Sequence, residues 1–534
     1  MWLLDEVHSL RQTTLLDFDL RVAPMVEGGS RAYEHFGIPF GAKPRLINGF
    51  IYQQLIFADL PPDALAEAVK AADVAVRRTA AELDARWKQE WLPEIQKLLA
   101  ELWAFDTETA ALPDLLRNLT EVRRRMDRLW ELHSIVLGPA VMAISDFEDA
   151  YRVLFPDARP FDPYDLLAGL PNKTVEQNIA LWELGRAAGK TDTLRAVVLE
   201  SQPEALAATL AQTSEGRALW SRIAEYAKVY GERSDDLYID APTWAEDLTP
   251  ILRGLREAVL HPEWDLAMEL HRQAEHRDKR LAEVRKQLEG HPIAVRAELE
   301  ALLEAAQVGT ALSEDHHFWV DTKATFHARR AAIAVGKRLA EAGALEQASD
   351  VFYLSLAELT DLADRDPAAA GLRERIAARR AEEARFTNAP HPVLLGTPQA
   401  FPALDSALMK SGFKLNGNLM APPQSGSELR GMPGSRGKAA GRARVVRTLD
   451  EAEQKLARGE ILVAPATLPS WTPFFANAAA VVTGAGGILC HAAVVAREYG
   501  IPAVVSVRGV MDAIHDGEMI EVDGDEGIVR VLPI

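Results

Sequence analysis

The hydrophobic positions upstream of about residue 385 recur with the period of an α-helix. Leu83, Trp87 and Trp91 are spaced every four residues, as on the buried face of an amphipathic helix. Pro93 falls inside this run, so we expect a kink or a break just before it. Similar runs predict further helices over 119–137, 174–188, 217–230, 250–260, 266–288, 293–306 and 323–342. The region 1–385 is therefore predicted to be mainly helical.

The pattern changes after Arg430 to short apolar runs separated by turns. The last two runs flank Asp523-Gly524-Asp525, which is typical of a hairpin. The runs predict strands over 441–447, 461–464, 479–483, 503–507, 519–522 and 528–532, with helices over 450–458 and 489–499. This order of elements predicts a compact α/β domain of about 100 residues.

Breaker-rich segments separate the two regions. Residues 415–418 and 422–427 are rich in Gly, Asn, Pro and Ser, and residues 388–402 carry four prolines. Such segments are typical of linkers. We therefore predict a multidomain protein with a helical region over 1–385, a linker over 386–430 and an α/β domain over 431–534. A division of the helical region into two subdomains is expected near 160–240.

Composition and charge exclude several classes of protein. The 534 residues are 48% hydrophobic and 26% charged, which is ordinary for globular proteins. Acidic residues exceed basic ones by 78 to 59, and the net charge of −19 repels nucleic acid and anionic membranes. The single cysteine, Cys490, excludes a disulfide framework. The first residues lack the basic region of a signal peptide, so we expect a cytoplasmic protein.

One glycine-rich segment carries the clearest chemical signal. A predicted strand ends at Thr483, a turn containing Gly486 and Gly487 follows, and a predicted helix carries His491 in its first turn. Open glycine amides and the positive end of a helix dipole favour a bound anion. A neutral imidazole is a nucleophile toward phosphorus. The sequence therefore predicts a phosphohistidine at His491, with Thr483, Gly486, Gly487 and Cys490 around the phosphate.

This segment is similar to the mobile phosphohistidine domain of the phosphoenolpyruvate-utilising enzymes, such as phosphoenolpyruvate synthase and pyruvate phosphate dikinase. The resemblance rests on residues 469–473 and 486–505 and covers about the last hundred residues. It implies that His491 is phosphorylated and that the domain swivels between an ATP site and an acceptor site. Cys490 stands where the dikinase pattern has serine, and we expect its thiol mainly to pack against its neighbours.

The helical region resembles the substrate-binding helical domain of rifampin phosphotransferase and the equivalent part of phenylphosphate synthase-type proteins. The similar strings are 230–233, 242–247, 314–321 and 350–354. Within this region we assign Arg233, Trp244, Trp319 and Lys323 to acceptor binding. For Arg233 and Lys323, ordinary salt bridging is an equally good explanation.

His316, His317 and Asp321 are the candidates for a catalytic general base. A His–Asp pair is suited to removing the proton of an acceptor hydroxyl as it attacks phosphorus. Alternatively, the two histidines are ordinary polar residues at a helix start, with Asp315 in a cap. Both interpretations stay open. No His-x-x-x-His pattern with a third ligand is evident, so no metal site is expected.

The predicted function follows from what accompanies the phosphohistidine domain. The sequence shows neither a P-loop nor an ATP-grasp pattern, and it stops shortly after the predicted hairpin, without the phosphoenolpyruvate-binding barrel of the synthase. We therefore predict the acceptor-binding and phosphohistidine subunit of a two-component ATP-dependent phosphotransferase. Its acceptor would be a small hydroxylated, phenolic compound, as in the degradation of aromatic compounds.

A partner is part of this prediction. A separate ATP-grasp subunit, bound transiently, would hold ATP and Mg²⁺, so this chain itself would bind no cofactor. Two alternatives remain: a component of a rifampin-type antibiotic phosphotransferase, and a non-catalytic phosphocarrier or regulatory protein.

Overall fold

The fold is described from a computed structural model, which covers residues 1–533 except 6–7, 9–10, 366–370, 388, 390, 398–405 and 418–420. The predicted class is confirmed, because a mainly helical N-terminal region precedes a C-terminal α/β region. Within the described residues, no helix is both long enough and apolar enough to cross a membrane.

The helices extend several of the predicted runs. Pro93 lies in the first turn of a helix that directly follows a π-helical turn over Trp87–Trp91, so the expected irregularity before this proline is present. The α-helices are α1 (Leu15–Asp17), α2 (Ala23–His35), α3 (Pro62–Ala80), α4 (Leu83–Arg86), α5 (Leu92–Ala104), α6 (Leu112–Leu154), α7 (Asp162–Asp165), α8 (Lys173–Ala188), α9 (Asp192–Glu200), α10 (Pro203–Leu210), α11 (Ser214–Tyr230), α12 (Thr249–Leu260), α13 (Leu266–Gln287), α14 (Ile293–His316), α15 (Lys323–Glu341), α16 (Leu356–Thr360), α17 (Leu372–Phe386), α18 (Ala407–Asn416), α19 (Leu449–Lys455), α20 (His491–Tyr499) and α21 (Val510–Ala513).

The strands form two sheets. The strands are β1 (Trp2–Leu4), β2 (Phe40–Ile47), β3 (Phe50–Phe57), β4 (Leu394–Leu395), β5 (Glu428–Arg430), β6 (Met432–Ser435), β7 (Lys438–Val445), β8 (Glu460–Ala464), β9 (Ala478–Thr483), β10 (Ala503–Val505), β11 (Met519–Asp523) and β12 (Ile528–Val531). The first sheet has the order β2-β3-β1-β4, and the second has the order β5-β12-β11-β7-β8-β9-β10-β6.

The described part of the chain divides into two compact units. Unit 1 contains residues 1–139, 237–242 and 316–406, and unit 2 contains residues 140–236, 243–315 and 407–534. The predicted linker 386–430 contains helix α18, while its residues 388, 390, 398–405 and 418–420 lie outside the described residues. The predicted domain limits near 385 and 430 stay a prediction.

A β-hairpin in unit 1 was not expected from the helical pattern. Strands β2 and β3 pair antiparallel, from Phe40 opposite Phe57 to Ile47 opposite Phe50. Between them, Asn48 and Gly49 have φ angles of 52° and 84°. Asn-Gly with two positive φ angles is the preferred two-residue hairpin turn, since it matches the twist of the strands.

The second sheet places the glycine-rich turn at the edge where parallel strands end. Strands β7, β8, β9 and β10 are parallel neighbours, and β11 with β12 forms the predicted hairpin. The turn follows β9 and leads into α20, which returns the chain to β10. Ligands of open α/β sheets bind at this carboxyl edge. The topology therefore places His491 at a position suited to chemistry.

Within unit 2, the α/β domain packs against helices α8, α12 and α13. Trp182 on α8 belongs to the same buried cluster as Tyr499 on α20. Trp264 stacks on Tyr499 with ring centroids 5.2 Å apart. The buried Arg253 side chain binds Glu453 and Asp450 of the α/β domain at 2.7 and 2.6 Å. The structure thus describes the α/β domain in a docked position on these helices.

Candidate active site

The glycine-rich turn before α20 is shaped by Thr483 and Gly486. Thr483 is fully buried, and its hydroxyl donates a hydrogen bond to the Ala485 carbonyl at 2.8 Å. Gly486 has a φ of +94°, and a Cβ there would lie 2.6 Å from Cys490 Sγ. Only glycine fits both the angle and the space. The Thr483 hydroxyl therefore holds the turn by bonding a backbone carbonyl of the turn. Its predicted contact with phosphate stays a prediction.

His491 is the first residue of α20, and its side chain is 12% exposed. Its Nε2 lies 3.4 Å from the Thr472 hydroxyl, and its Nδ1 lies 3.8 Å from Glu314 Oε1. Nδ1 is buried without a hydrogen-bond partner among the described residues. A small rotation would bring the carboxylate into hydrogen-bonding range of Nδ1. That bond would place the proton on Nδ1 and leave Nε2 free to act as a nucleophile.

Glu314 belongs to a group of interacting charges in unit 2. Burial lowers the pKa of the Arg233 guanidinium to about 10, although Tyr226 and Glu314 oppose that shift. Burial, together with repulsion by Glu314, raises the pKa of Glu498 on α20 to about 8. Arg233 therefore acts electrostatically on the carboxylate that faces His491. Among the residues predicted for acceptor binding, Arg233 is thus the one with an electrostatic interaction with Glu314.

The backbone amides of the glycine-rich turn were expected to lie open, but two amides there donate hydrogen bonds within the protein. The Gly487 N–H donates to the Leu415 carbonyl at 2.7 Å, and the Leu489 N–H donates to the Lys414 carbonyl at 2.9 Å. Both carbonyls belong to the last turns of α18. The Lys414 ammonium in turn binds Glu148 at 2.8 Å. In this docked position, the end of α18 thus occupies the Gly487 amide that was predicted to hold phosphate.

Cys490 lies at the N-cap of α20. It packs against Ala492, Ala493 and Val505, and burial raises the pKa of its thiol. A neutral thiol packed against apolar groups is a poor phosphate ligand. The geometry is that of the packing role expected for Cys490.

Trp244 lies in the hydrophobic core formed by helices α8 to α12, and it is 5% exposed. Its backbone N–H donates to the Arg233 carbonyl at 2.7 Å, and its indole N–H donates to Asp235 at 3.0 Å. Trp244 therefore fixes the backbone of Arg233, and its predicted role in acceptor binding stays a prediction.

The candidates for the general base form a second cluster, in unit 1. Asp321 is buried and accepts hydrogen bonds from His133 Nδ1 at 2.7 Å and from His317 Nδ1 at 2.8 Å. Although burial alone would raise it, these two imidazoles hold the pKa of Asp321 well below its usual range. The His316 ring meets the His133 ring edge-on, with centroids 4.6 Å apart. Sequence reasoning missed His133, which is 188 residues from Asp321 along the chain.

The remaining candidate residues have different surroundings. They are Trp319, Lys323 and Asp315. The Lys323 ammonium lies 5.1 Å from the Phe318 ring and 5.8 Å from the Trp319 ring, all in unit 1. Asp315, in unit 2, accepts a hydrogen bond from the Lys173 N–H at 2.7 Å at the start of α8. Burial raises the pKa of Asp315 to about 6. The capping role considered for Asp315 is therefore real, although the helix that it caps is α8.

A cavity of about 330 Å³ lies in unit 2 beside α20. Its wall includes Val494, Arg497 and Glu498 of α20. The Arg497 guanidinium lies 5.3 Å from the ring of Tyr164, another lining residue, whose hydroxyl donates to Glu148 at 2.7 Å. Sequence reasoning did not find this cavity. One signal was available, because Glu498 lies two helical turns after His491 and therefore on the same face of α20. None of the four predicted acceptor-binding residues lines it.

The two parts of this site match two known domain families. Residues 456–527, which contain His491, match the mobile domain of the phosphoenolpyruvate-utilising enzymes. Residues 152–314, which contain Arg233 and Glu314, match the fourth domain of rifampicin phosphotransferase. These matches confirm the resemblances to the mobile domain and to rifampicin phosphotransferase.

Individual relatives extend the likeness. The chain is 41% identical over 542 residues to chondramide synthase cmdD of Chondromyces crocatus, covering all of this chain and 14% of that protein. It is 28% identical over 405 residues to the uncharacterized phosphotransferase YvkC of Bacillus subtilis, covering 76% of this chain and 47% of that protein. It is 37% identical over 204 residues to rifampicin phosphotransferase of Streptomyces sviceus, covering 38% of this chain and 21% of that protein. The chain therefore spans less than half the length of each of these relatives.

Proposed function

We propose that this chain accepts a phosphoryl group on His491 and transfers it to a small hydroxylated acceptor. The observation that carries the proposal is the position of His491, at the start of α20, with Nε2 beside Thr472 and Nδ1 facing Glu314. The matched domain families and the names of the relatives support a phosphotransferase.

In the first proposed step, Nε2 of His491 attacks a phosphorus of ATP. A nitrogen–phosphorus bond forms as the bond from phosphorus to the leaving oxygen breaks. If the chemistry follows the family, Nε2 attacks the β-phosphorus and AMP leaves; water then attacks the γ-phosphorus and releases phosphate, so that the β-phosphoryl stays on His491. Glu314 holds the proton on Nδ1 and stabilises the positive charge that develops on the ring.

In the second proposed step, the acceptor hydroxyl attacks the phosphohistidine. The nitrogen–phosphorus bond breaks, and the electron pair returns to Nε2. The acceptor proton goes to a general base of the protein. That His316, His317 or Asp321 fills this role stays a prediction from the sequence alone. Breaking of the nitrogen–phosphorus bond restores the neutral imidazole for the next cycle.

The cavity beside α20 supports a small aromatic acceptor. Its volume of about 330 Å³ lies at the lower end of ligand pockets, which are roughly 300–1,000 Å³. Phe161 and Tyr164 supply aromatic surface, and Glu498 supplies a hydrogen-bonding carboxyl group. His491 is not among its lining residues, so the cavity by itself does not decide between an enzyme and a non-catalytic phosphocarrier. A phenol, which the sequence resemblance implied, is the acceptor class that we propose.

We propose that a separate ATP-binding component supplies the phosphoryl group. The sequence contains no P-loop and no ATP-grasp pattern, and transfer from ATP requires a site that orients the nucleotide with Mg²⁺. ATP and Mg²⁺ would bind to that component, in a transient complex with this chain.

The proposal is tested by labelling with β-labelled ATP in the presence of the ATP-binding component. Wild-type protein is expected to take up acid-labile, base-stable label, and His491→Ala is expected to take up none. His515→Ala is the matched control, because His515 lies in the same domain with its side chain 77% exposed. Label that persists in His491→Ala would refute the assignment, as would transfer from ATP by this chain alone.

A further inference from the structure

We propose that His133, His316 and Asp321 of unit 1 form a binding site for a divalent transition-metal ion of the Zn²⁺ class. One donor atom from each of the three residues lies within 4.8 Å of the other two. A tetrahedral ion with ligand distances of about 2.0–2.2 Å holds such donors about 3.3 Å apart. Small side-chain rotations are therefore enough to close the site around an ion.

The three ligands are placed by helical backbone. His133 lies in the interior of α6, His316 is the last residue of α14, and Asp321 lies in the π-helical turn over His317–Thr322. Wide turns of this kind occur frequently at functional sites. Sites built on helices hold their ligands more accurately than sites built on loops.

His317 gives the site an outer hydrogen bond. Its Nδ1–H donates to Oδ2 of Asp321 at 2.8 Å and so orients the carboxylate. The other carboxylate oxygen, Oδ1, accepts a hydrogen bond from His133 Nδ1 at 2.7 Å. On metal binding, His133 would carry its proton on Nε2, and Nδ1 and Oδ1 would bind the ion. Partners that orient metal-binding side chains in this way typically strengthen affinity.

The donor set decides the class of ion. Two imidazoles and one carboxylate suit Zn²⁺, Co²⁺ or Fe²⁺, whereas Mg²⁺ and Ca²⁺ prefer sites made of oxygen. Three protein ligands leave a fourth position for water or another oxygen ligand. His316 and Asp321 are buried, and His133 is 16% exposed, so the site is shielded from bulk water. This proposal does not depend on phosphoryl transfer by His491, and an ion bound to His316 and Asp321 would leave His317 as the candidate for the general base.

The test is metal binding by the full-length chain. We expect the protein purified from zinc-supplemented cells to contain about one Zn²⁺ per chain by elemental analysis. Replacement by Co²⁺ is expected to give visible d–d absorption bands of a four-coordinate site. His133→Ala and His316→Ala are each expected to lower the metal content and the affinity at least tenfold. His35→Ala is the matched control, since His35 is an exposed histidine of unit 1 outside the cluster.

Two outcomes would overturn the proposal. The first is wild-type protein that stays metal-free after dialysis against micromolar Zn²⁺. The second is zinc bound equally by wild type, His133→Ala and His316→Ala, since the ion would then lie elsewhere. Circular dichroism of each variant shows that it is folded. If both alanine variants fail to fold, the Co²⁺ spectrum of the wild type tests the site instead. Absorption bands that show no imidazole ligand on Co²⁺ would contradict the proposal.

Discussion

His491 of unit 2 differs from His133 and His317 of unit 1 in how its Nδ1 atom is bonded. In unit 2, His491 Nδ1 is buried at 3.8 Å from a carboxylate and has no hydrogen-bond partner among the described residues. In unit 1, His133 and His317 both bond Asp321 at normal distances. A ring whose Nδ1 lacks a hydrogen bond can gain one during a chemical step, while rings bonded through Nδ1 to a buried carboxylate are held in place. The comparison separates a reacting histidine from histidines that support a site.

The largest expected effect tests the bonded cluster. Asp321→Asn removes the buried charge that both imidazoles face, so we expect the free energy of unfolding to fall by about 3 kcal/mol. Urea denaturation of the full chain measures this change. Asp59→Asn is the control, because Asp59 is exposed in the same unit. Equal stability of the two variants would show that the His133 and His317 bonds contribute little.

The next effect tests the Nδ1 atom of His491. Glu314→Gln removes the carboxylate that would hold the proton on Nδ1 of His491, so we expect phosphorylation to slow about a hundredfold. Glu304→Gln is the matched control, because Glu304 is exposed on the same helix, α14.

A spectroscopic measurement distinguishes positioning from structural damage. Nitrogen NMR of His491 is expected to show the Nδ1–H tautomer in wild type and a mixture of tautomers in Glu314→Gln. A slow variant with an unchanged tautomer would contradict the positioning role of Glu314.

The third effect compares the pH dependence of carboxylates in the two units. Glu498 has a folded pKa of about 8 against an ordinary value near 4.5, so the folded state binds more protons between these values. Stability therefore falls as pH rises through this range, by at most about 1.4 kcal/mol per pH unit. Asp321 has a lowered pKa, so its contribution is lost as pH falls below about 4.

Glu498→Gln is expected to flatten the loss of stability between pH 5 and pH 8, the interval set by the Glu498 pKa values. Melting temperatures measured across this range check the prediction. Asp59→Asn, at an exposed carboxylate of unit 1, is expected to leave the slope in this range unchanged. A wild-type slope that survives in Glu498→Gln would mean that another group is responsible.

The sequence predicted those parts of the site that are local in the chain. The strand, glycine-rich turn and helix around His491 are consecutive, so their pattern was sufficient. The hairpin of β2 and β3 was missed although Asn48-Gly49 signals it, because helical periodicity dominated the region. The hairpin could therefore have been predicted from the sequence, because its turn signal is local.

Other features depend on pairs of residues that are distant in the chain. Nothing in the sequence pairs His133 with Asp321 or Glu314 with His491, because these contacts arise from the packing of separate helices. For the same reason, the bond from the Gly487 amide to the end of α18 was unforeseen. Local pattern thus locates the reacting histidine, and tertiary packing determines what surrounds it.

The smallest expected effect concerns α18, which covers the turn before His491. Lys414→Ala removes the ion pairs with Glu148 and Asp149 at 2.8 and 3.1 Å and so loosens the end of α18. We expect the Gly487 and Leu489 amides to exchange with solvent about fivefold faster, corresponding to about 1 kcal/mol. Lys455→Ala is the control, because Lys455 is exposed in the same unit and makes only a long pair with Glu451. Unchanged exchange would mean that the two backbone bonds hold α18 on the turn without help from Lys414.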